Sequence, residues 1–404
     1  MGVKRCLVWA SEIVKGSSVK HIAVLLLCAL IAACATPPTS LTTDSPDSFF
    51  RDALFTKPTQ ALNPDDVFAM SNAMTQYLRF DIARQLRSDG PARGLVTALY
   101  SRDQLKLDYD TLTTRNAAQA FDARRGNCLS LVLMTAAFAK ALDLQVSYQT
   151  VDVDEIWSRA DGMAFLNSHV NVTLGPRAIH QASGYDPGRY LTIDFLPADQ
   201  ITGHRTAPVS EDTVVAMYFN NKAAEALSAG QLDEAYAWVR AGIQRAPEFL
   251  SPYNTLGVIY TRHGDLHVAE QVFNHVLTKR PADKQALANL AGLLSKQGRL
   301  AEAQLLQARL ALLEPYPPYH FFQLGTQAMQ RGEYRAASEW FAKEVKRADH
   351  SSEFHFWLSL AHFRLGELTQ ARRQMALAVQ NSSTRDEQAL YGAKLQSLRA
   401  YRVQ

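Results

Sequence analysis

Gly230, Gly264, Gly298, Gly332 and Gly366 stand 34 residues apart, and that period restricts the second half of this chain to one kind of architecture. An alanine follows each glycine by five positions, at Ala235, Ala269, Ala303, Ala337 and Ala371, and Pro247, Pro281 and Pro315 keep the same period. Glycine accepts the left-handed conformation that ends a helix, where side chains resist it. Alanine lets two helices approach closely, and proline stops a helix because it has no N–H to donate. Each period is therefore expected to be a helical hairpin. Hairpins that cannot bury their apolar faces alone must stack into a solenoid.

The pattern resembles the tetratricopeptide repeat. The second repeat carries it most fully, with Leu256, Gly257, Tyr260, Ala269, Phe273 and Pro281 at the family's positions. Five repeats are expected over 212–384, the first and last degraded as terminal repeats are, with a C-terminal capping helix over 385–404. The resemblance implies a protein or peptide partner. Tyr319, Phe321, Phe322, Phe354, Phe356 and Trp357 crowd the first helices of repeats four and five. Several must serve the repeat core. By repeat position, Tyr319, Phe322 and Phe356 are expected to face the concave surface and bind an apolar peptide segment.

The chain begins differently. Lys4, Arg5, Lys15 and Lys20 precede an apolar run from Ile22 to Ala33 that is short for a bilayer span and reads as a signal-peptide core over 1–33. It ends in Ile31-Ala32-Ala33-Cys34, which resembles the lipobox of bacterial lipoproteins and implies lipidation of Cys34. A plain secretory signal with an incidental cysteine is the alternative. Ala35 stands where lipoproteins retained in the inner membrane often carry Asp, which favours an outer-membrane anchor facing the periplasm. Translation starts at Met1 or near Val19; both stay open. Residues 34–48 are rich in Pro, Ser and Thr and read as a flexible tether.

Over the 404 residues, 42 basic and 39 acidic side chains nearly cancel to +3, with no basic run. The balance argues against nucleic acid as partner. Neither a dinucleotide glycine fingerprint nor a phosphate-binding loop occurs, and no cofactor or metal is expected. Of the cysteines Cys6, Cys28, Cys34 and Cys128, cleavage removes two and lipid occupies the third, so Cys128 is left without a disulfide partner in an exported protein.

Residues 49–208 read as an α+β domain, helical from Phe49 to Ala123 with a break at Gly90-Pro91. A helix from Cys128 to Leu142 follows, then strands at Val146–Val153, His169–Leu174 and Tyr190–Leu196. Within it, Arg125-Gly126-Asn127-Cys128-Leu129-Ser130, Asn167-Ser168-His169-Val170-Asn171-Val172 and Leu191-Thr192-Ile193-Asp194-Phe195-Leu196-Pro197 resemble the transglutaminase-like superfamily, over about 108–197. Tyr109 to Phe121 looks like the lead-in of its bacterial members. The resemblance implies a papain-like core that uses a cysteine nucleophile for amide hydrolysis or acyl transfer, with Cys128, His169 and Asp194 as the triad.

The residues make physical sense on their own terms. Gly126 permits a tight approach before the helix, so Cys128 falls in the first turn, where unpaired N–H groups and the helix dipole favour thiolate and offer oxyanion donors. On the second strand, His169, Asn171 and Thr173 share a polar face able to line a cleft, opposite Val170, Val172 and Leu174. A neighbouring strand could bring Asp194 behind His169 and fix its tautomer. Singly, each residue is more often structural than catalytic. Asn127 is a weak oxyanion candidate. His180 and His204 read as loop residues, and His263, His267 and His275 as solvated faces of repeat helices rather than metal ligands.

Two functions follow. One is an envelope-anchored cysteine peptidase or acyltransferase of the transglutaminase-like type, acting on a peptide amide that the repeats recruit, with water or an amine as acceptor. The other is a non-enzymatic repeat lipoprotein, a scaffold for envelope protein assembly whose cysteine domain is inactive.

Overall fold

The stretch CLSLVLMTAAFAKA is apolar on every side, and a helix of that kind must lie inside a protein. In the computed structural model it does: the helix Cys128–Ala141 (α5) is buried from Cys128 through Ala139. The structure describes residues 45–58, 62–100, 108–109, 113–160, 163–177, 190–195, 205–382 and 385–401. The leader, Cys34, most of the tether, His180 and His204 lie outside the described residues.

Around α5 the chain wraps short helices and one sheet. Asn72–Gln76 (α1), a π-helical turn at Tyr77–Asp81, Ala83–Asp89 (α2), Pro91–Tyr100 (α3) and Ala117–Ala123 (α4) come first. α4 opens on a capping box in which Asn116 and Gln119 exchange side-chain and backbone hydrogen bonds. Asp108–Tyr109 (β1) and Arg125–Gly126 (β2) pair in parallel. The main sheet joins Leu144–Ala160 (β3), Met163–Arg177 (β4), Leu191–Ile193 (β5) and Arg205–Val209 (β6) in the antiparallel order β5-β4-β3-β6. β3 and β4 run longer than the alternation suggested. β6 had no clear signal, because Pro208 argues against a strand except at an edge, and the edge is where β6 lies.

The repeats form paired helices. They are Glu211–Ser228 (α6) with Leu232–Arg245 (α7), Ser251–His263 (α8) with Leu266–Lys279 (α9), and Lys284–Lys296 (α10) with Leu300–Leu313 (α11). His320–Gln330 (α12) with Tyr334–Arg347 (α13) and Ser352–Arg364 (α14) with Leu368–Gln380 (α15) follow, then the final helix Arg385–Ala400 (α16). All five periodic glycines sit at positive φ, from 74° to 106°. Gly257 has another duty: a Cβ there would meet the Phe273 ring at 2.4 Å, so the glycine is what lets α8 and α9 close.

The boundary between the domain and the repeats is a shared helix rather than a linker. Val214, Val215, Met217, Tyr218 and Phe219 of α6 belong to the α+β core, while Ala223 and Leu227 belong to the repeat core. The segment 49–56, expected in the α+β domain, instead lies on the repeats. Phe49 is buried against Tyr253 and His275, and Phe55 stacks on Tyr236 at 4.0 Å. The Tyr260 hydroxyl donates to the Phe49 carbonyl (2.7 Å), and the Arg51 N–H donates to the Tyr236 hydroxyl (2.9 Å). Tyr236 in turn donates to Asp52, and Thr56 donates to Asp233.

Among the described residues the apolar core of the array is divided after the third repeat. The core through the first three repeats ends at Ala303 and Leu306, and a separate one begins at Phe322 in α12. On α11 only Ala303 is buried, while Leu305 and Leu312 are exposed, the latter by 85%. The intervening sequence Pro315-Tyr316-Pro317-Pro318 explains the gap. α10 and α14 start from side-chain caps, Asp283 and Ser351, whereas α12 starts late, after Tyr319 in the left-handed conformation (φ 63°) with no side-chain cap.

Candidate active site

Asn127 caps α5, its Oδ1 accepting from the Ser130 N–H (2.9 Å), and Cys128 is the first helical residue. A Cβ on Gly126 would stand 2.6 Å from Ser130 Cβ, so the approach to this cap requires glycine. Cys128 is a free thiol, 8% exposed. The Asn127 amide group is occupied at both ends, since its Nδ2 donates to Thr114 Oγ1 (2.9 Å) and its Oδ1 also accepts from the Ser130 hydroxyl (2.8 Å). It serves as a structural cap, with one Nδ2 hydrogen engaged by Thr114.

Across from the helix start, β4 and β5 pair Val172 with Ile193 and Thr173 with Thr192. That register carries Asp194, just past β5, to His169, and Nε2 meets Asp194 Oδ1 at 2.6 Å. Asn171 donates from Nδ2 to Asp194 Oδ2 (3.3 Å), and the Thr173 and Thr192 hydroxyls bond at 2.8 Å. The polar face of β4 was expected to line a cleft. Here His169, Asn171 and Thr173 are buried, with Asp194 and Thr192 meeting one polar atom of each, while His169 Nδ1 and Asn171 Oδ1 stay buried without a hydrogen-bond partner.

The electrostatics tie the three residues together. Burial alone would lower the His169 pKa, but the Asp194 hydrogen bond and the neighbouring Cys128 sulfur raise it to about 9. Nε2 meets the carboxylate, and Nδ1, the other ring nitrogen, is buried without a hydrogen-bond partner. The chain thus brings Cys128, His169 and Asp194 to one place. With the folded pKa above the unfolded value of about 6.5, His169 contributes stability that is fully present below pH 6.5 and is lost as pH rises through 9. Asp194→Asn is expected to cost up to about 3 kcal/mol at pH 6, shrinking toward pH 9.5, in denaturant titrations run across that range. A pH-independent difference would sink the assignment.

Of the aromatic residues expected on a concave groove, Phe322 and Phe356 are half-buried. Tyr319 is buried, edge-on to Phe322 and Phe354, and Phe322 also meets Phe341 and Trp357. Phe356 stacks on Tyr391 of α16 at 5.2 Å. These rings fill seams between helices, because repeats four and five need them as core. His263, which lies beside Phe55 and pairs with Asp265, and His267, beside Gln271, are exposed as expected, whereas His275 is half-buried against Phe49 and Tyr253. Among the described residues no three or more His, Cys, Asp or Glu side chains gather as a metal site. Sequence reading missed Thr114 and Glu225, which only the fold brings to the start of α5, and the bond from Ser130 to the Asn127 cap.

Comparison with known proteins reaches the repeats. A tetratricopeptide repeat family model matches residues 254–319 and 322–386. The TPR repeat-containing protein YvcD of Bacillus subtilis (strain 168) is 26% identical over 147 residues, or 36% of this chain and 30% of that protein. The chain therefore spans less than a third of the length of this curated relative. Among solved structures, Pseudomonas aeruginosa pilF is 19% identical over 46% of this chain and 93% of its own, with a TM-score of 0.27. YrrB, described as a TPR protein with an unusual peptide-binding site, is 17% identical over 44% and 92%, with a TM-score of 0.24. The chain carries a helical tetratricopeptide solenoid, an architecture suited to protein–protein interaction.

Proposed function

We propose that this protein binds a polypeptide partner on its repeats while tethered to the envelope through Cys34, facing the periplasm from the outer membrane. The observation that carries the binding reading is the chain's own segment 49–56 on α7, α8 and α9. Tyrosine hydroxyls there bond its backbone while rings receive Phe49 and Phe55. The repeats thus hold a short segment by the contacts a peptide ligand would use. One experiment covers both halves: photo-crosslinking in intact cells followed by fractionation. Wild type is expected to yield a discrete crosslinked polypeptide in the membrane fraction, and Cys34→Ser to shift the same adduct to the soluble fraction. A crosslinker on the repeats that yields no adduct removes the binding reading; an unshifted Cys34→Ser removes the anchor.

A second reading is favoured by the 2.6 Å His169–Asp194 pair beside Cys128. In it, the domain is a transglutaminase-like cysteine hydrolase or acyltransferase acting on the recruited polypeptide. The Cys128 sulfur bonds to an amide carbonyl carbon as the oxyanion takes the N–H groups at the start of α5. His169 gives its Nδ1 proton to the amine, the C–N bond breaks, and a thioester remains on Cys128. Water or an amine then attacks that carbonyl, returning a proton to His169 and freeing the sulfur. Asp194 holds the ring by Nε2 throughout and stabilises the imidazolium. An unreactive Cys128 would leave the scaffold reading alone.

A further inference from the structure

The start of the nucleophile's helix is braced from the repeats. Asn127, the cap of α5, donates to Thr114 Oγ1 (2.9 Å), and the Thr114 backbone N–H donates to Glu225 Oε1 of α6 (2.6 Å). The other Glu225 oxygen accepts from Lys222 (2.6 Å). A second strand of the network runs beside it: the Arg115 N–H donates to Ser130 Oγ (2.8 Å), and that hydroxyl donates to Asn127 Oδ1 (2.8 Å). Thr114 and Ser130 are both buried, so a lost partner leaves a polar group without water to replace it. Glu225 sits on the helix that the α+β core and the repeat core share, two residues from Ala223 and two from Leu227 of the repeat core.

We propose that Glu225 is a positioning residue for Cys128: a carboxylate of the first repeat that fixes the Thr114 loop, and through it the Asn127 cap from which the nucleophile projects. The proposal rests on the cysteine-enzyme reading above and adds to it a route by which the repeats set the geometry of the reactive sulfur. Glu225 touches none of the reacting groups itself. Its removal lets the Thr114 loop relax, the cap loses its Nδ2 partner, and Cys128 drifts relative to His169. Small displacements of a reacting atom are costly in rate.

The test is the rate of iodoacetamide alkylation of Cys128 in the full-length protein, followed by peptide-resolved mass spectrometry from pH 5.5 to 9. Glu225→Ala is expected to slow alkylation by about tenfold at pH 6 and to steepen its rise with pH. Glu225→Gln, which keeps an acceptor oxygen, is expected to stay within about twofold of wild type. Thr114→Val keeps the backbone N–H but removes the oxygen that Asn127 uses, and should match Glu225→Ala. Combining the two should add nothing, since both act on one chain of bonds. Wild-type rates in Glu225→Ala, or equal losses in the Ala and Gln variants, overturn the proposal. If Glu225→Ala fails to fold, Thr114→Val decides in its place, a wild-type profile counting against. His169→Ala separates the two levels: should it react as fast as wild type, the triad reading itself fails; should it be slow while Glu225→Ala is normal, only the positioning role fails.

Discussion

His169→Ala is expected to slow alkylation of Cys128 at pH 6 by about a hundredfold or more, the scale at which a positioned imidazole contributes to proton transfer. The imidazole is held cationic to about pH 9 by Asp194 and the sulfur. The gap between wild type and variant should therefore be widest where the ring is cationic and should narrow as pH rises through 9. Asp194→Asn should fall between them, because it loosens the ring without removing it. The measurement is the pH profile of labelling at Cys128 by mass spectrometry. A His169→Ala profile that overlays wild type would mean that the sulfur is inert packing.

The second large effect concerns the repeats. Phe273 is 1% exposed and fits against the bare backbone of Gly257. Phe273→Ala leaves a ring-sized void in the core of the first three repeats and is expected to cost about 3–5 kcal/mol, measured by urea titration. Gly325 and Phe341 repeat the arrangement, with a Cβ on the glycine only 2.5 Å from the ring, so Phe341→Ala belongs to the same class. A loss under about 1 kcal/mol would show that the helix pair collapses onto the void, and that the ring is not what holds α8 to α9.

Much of this was legible in the residues because a fixed period leaves few choices. A glycine that must turn left-handed and an alanine that must sit between helices recur every 34 residues, and the helices follow. The helix at Cys128 was readable as an uninterrupted helical stretch, and the convergence of Cys128, His169 and Asp194 was expected from three local motifs. What escaped was long-range. Nothing near Phe49 or Phe55 says that they belong to tyrosines some two hundred residues away. Nothing in α6 announces that its two halves serve different cores. Tyr319 is buried where repeat position placed it on the concave surface, because Pro317 and Pro318 delay α12 and its ring packs on Phe322 and Phe354.

The gap between α11 and α12 bears on how the solenoid responds to stress. Stacked repeats share stability only with their neighbours, so cooperativity travels as far as each contact passes it on. Where Leu305 and Leu312 of α11 face outward and the core that ends at Leu306 does not continue to Phe322, that transmission is weakest. The last two repeats with α16 are therefore expected to unfold at lower denaturant than the first three. Those three, through α6, form the part of the array bound to the domain that holds Cys128.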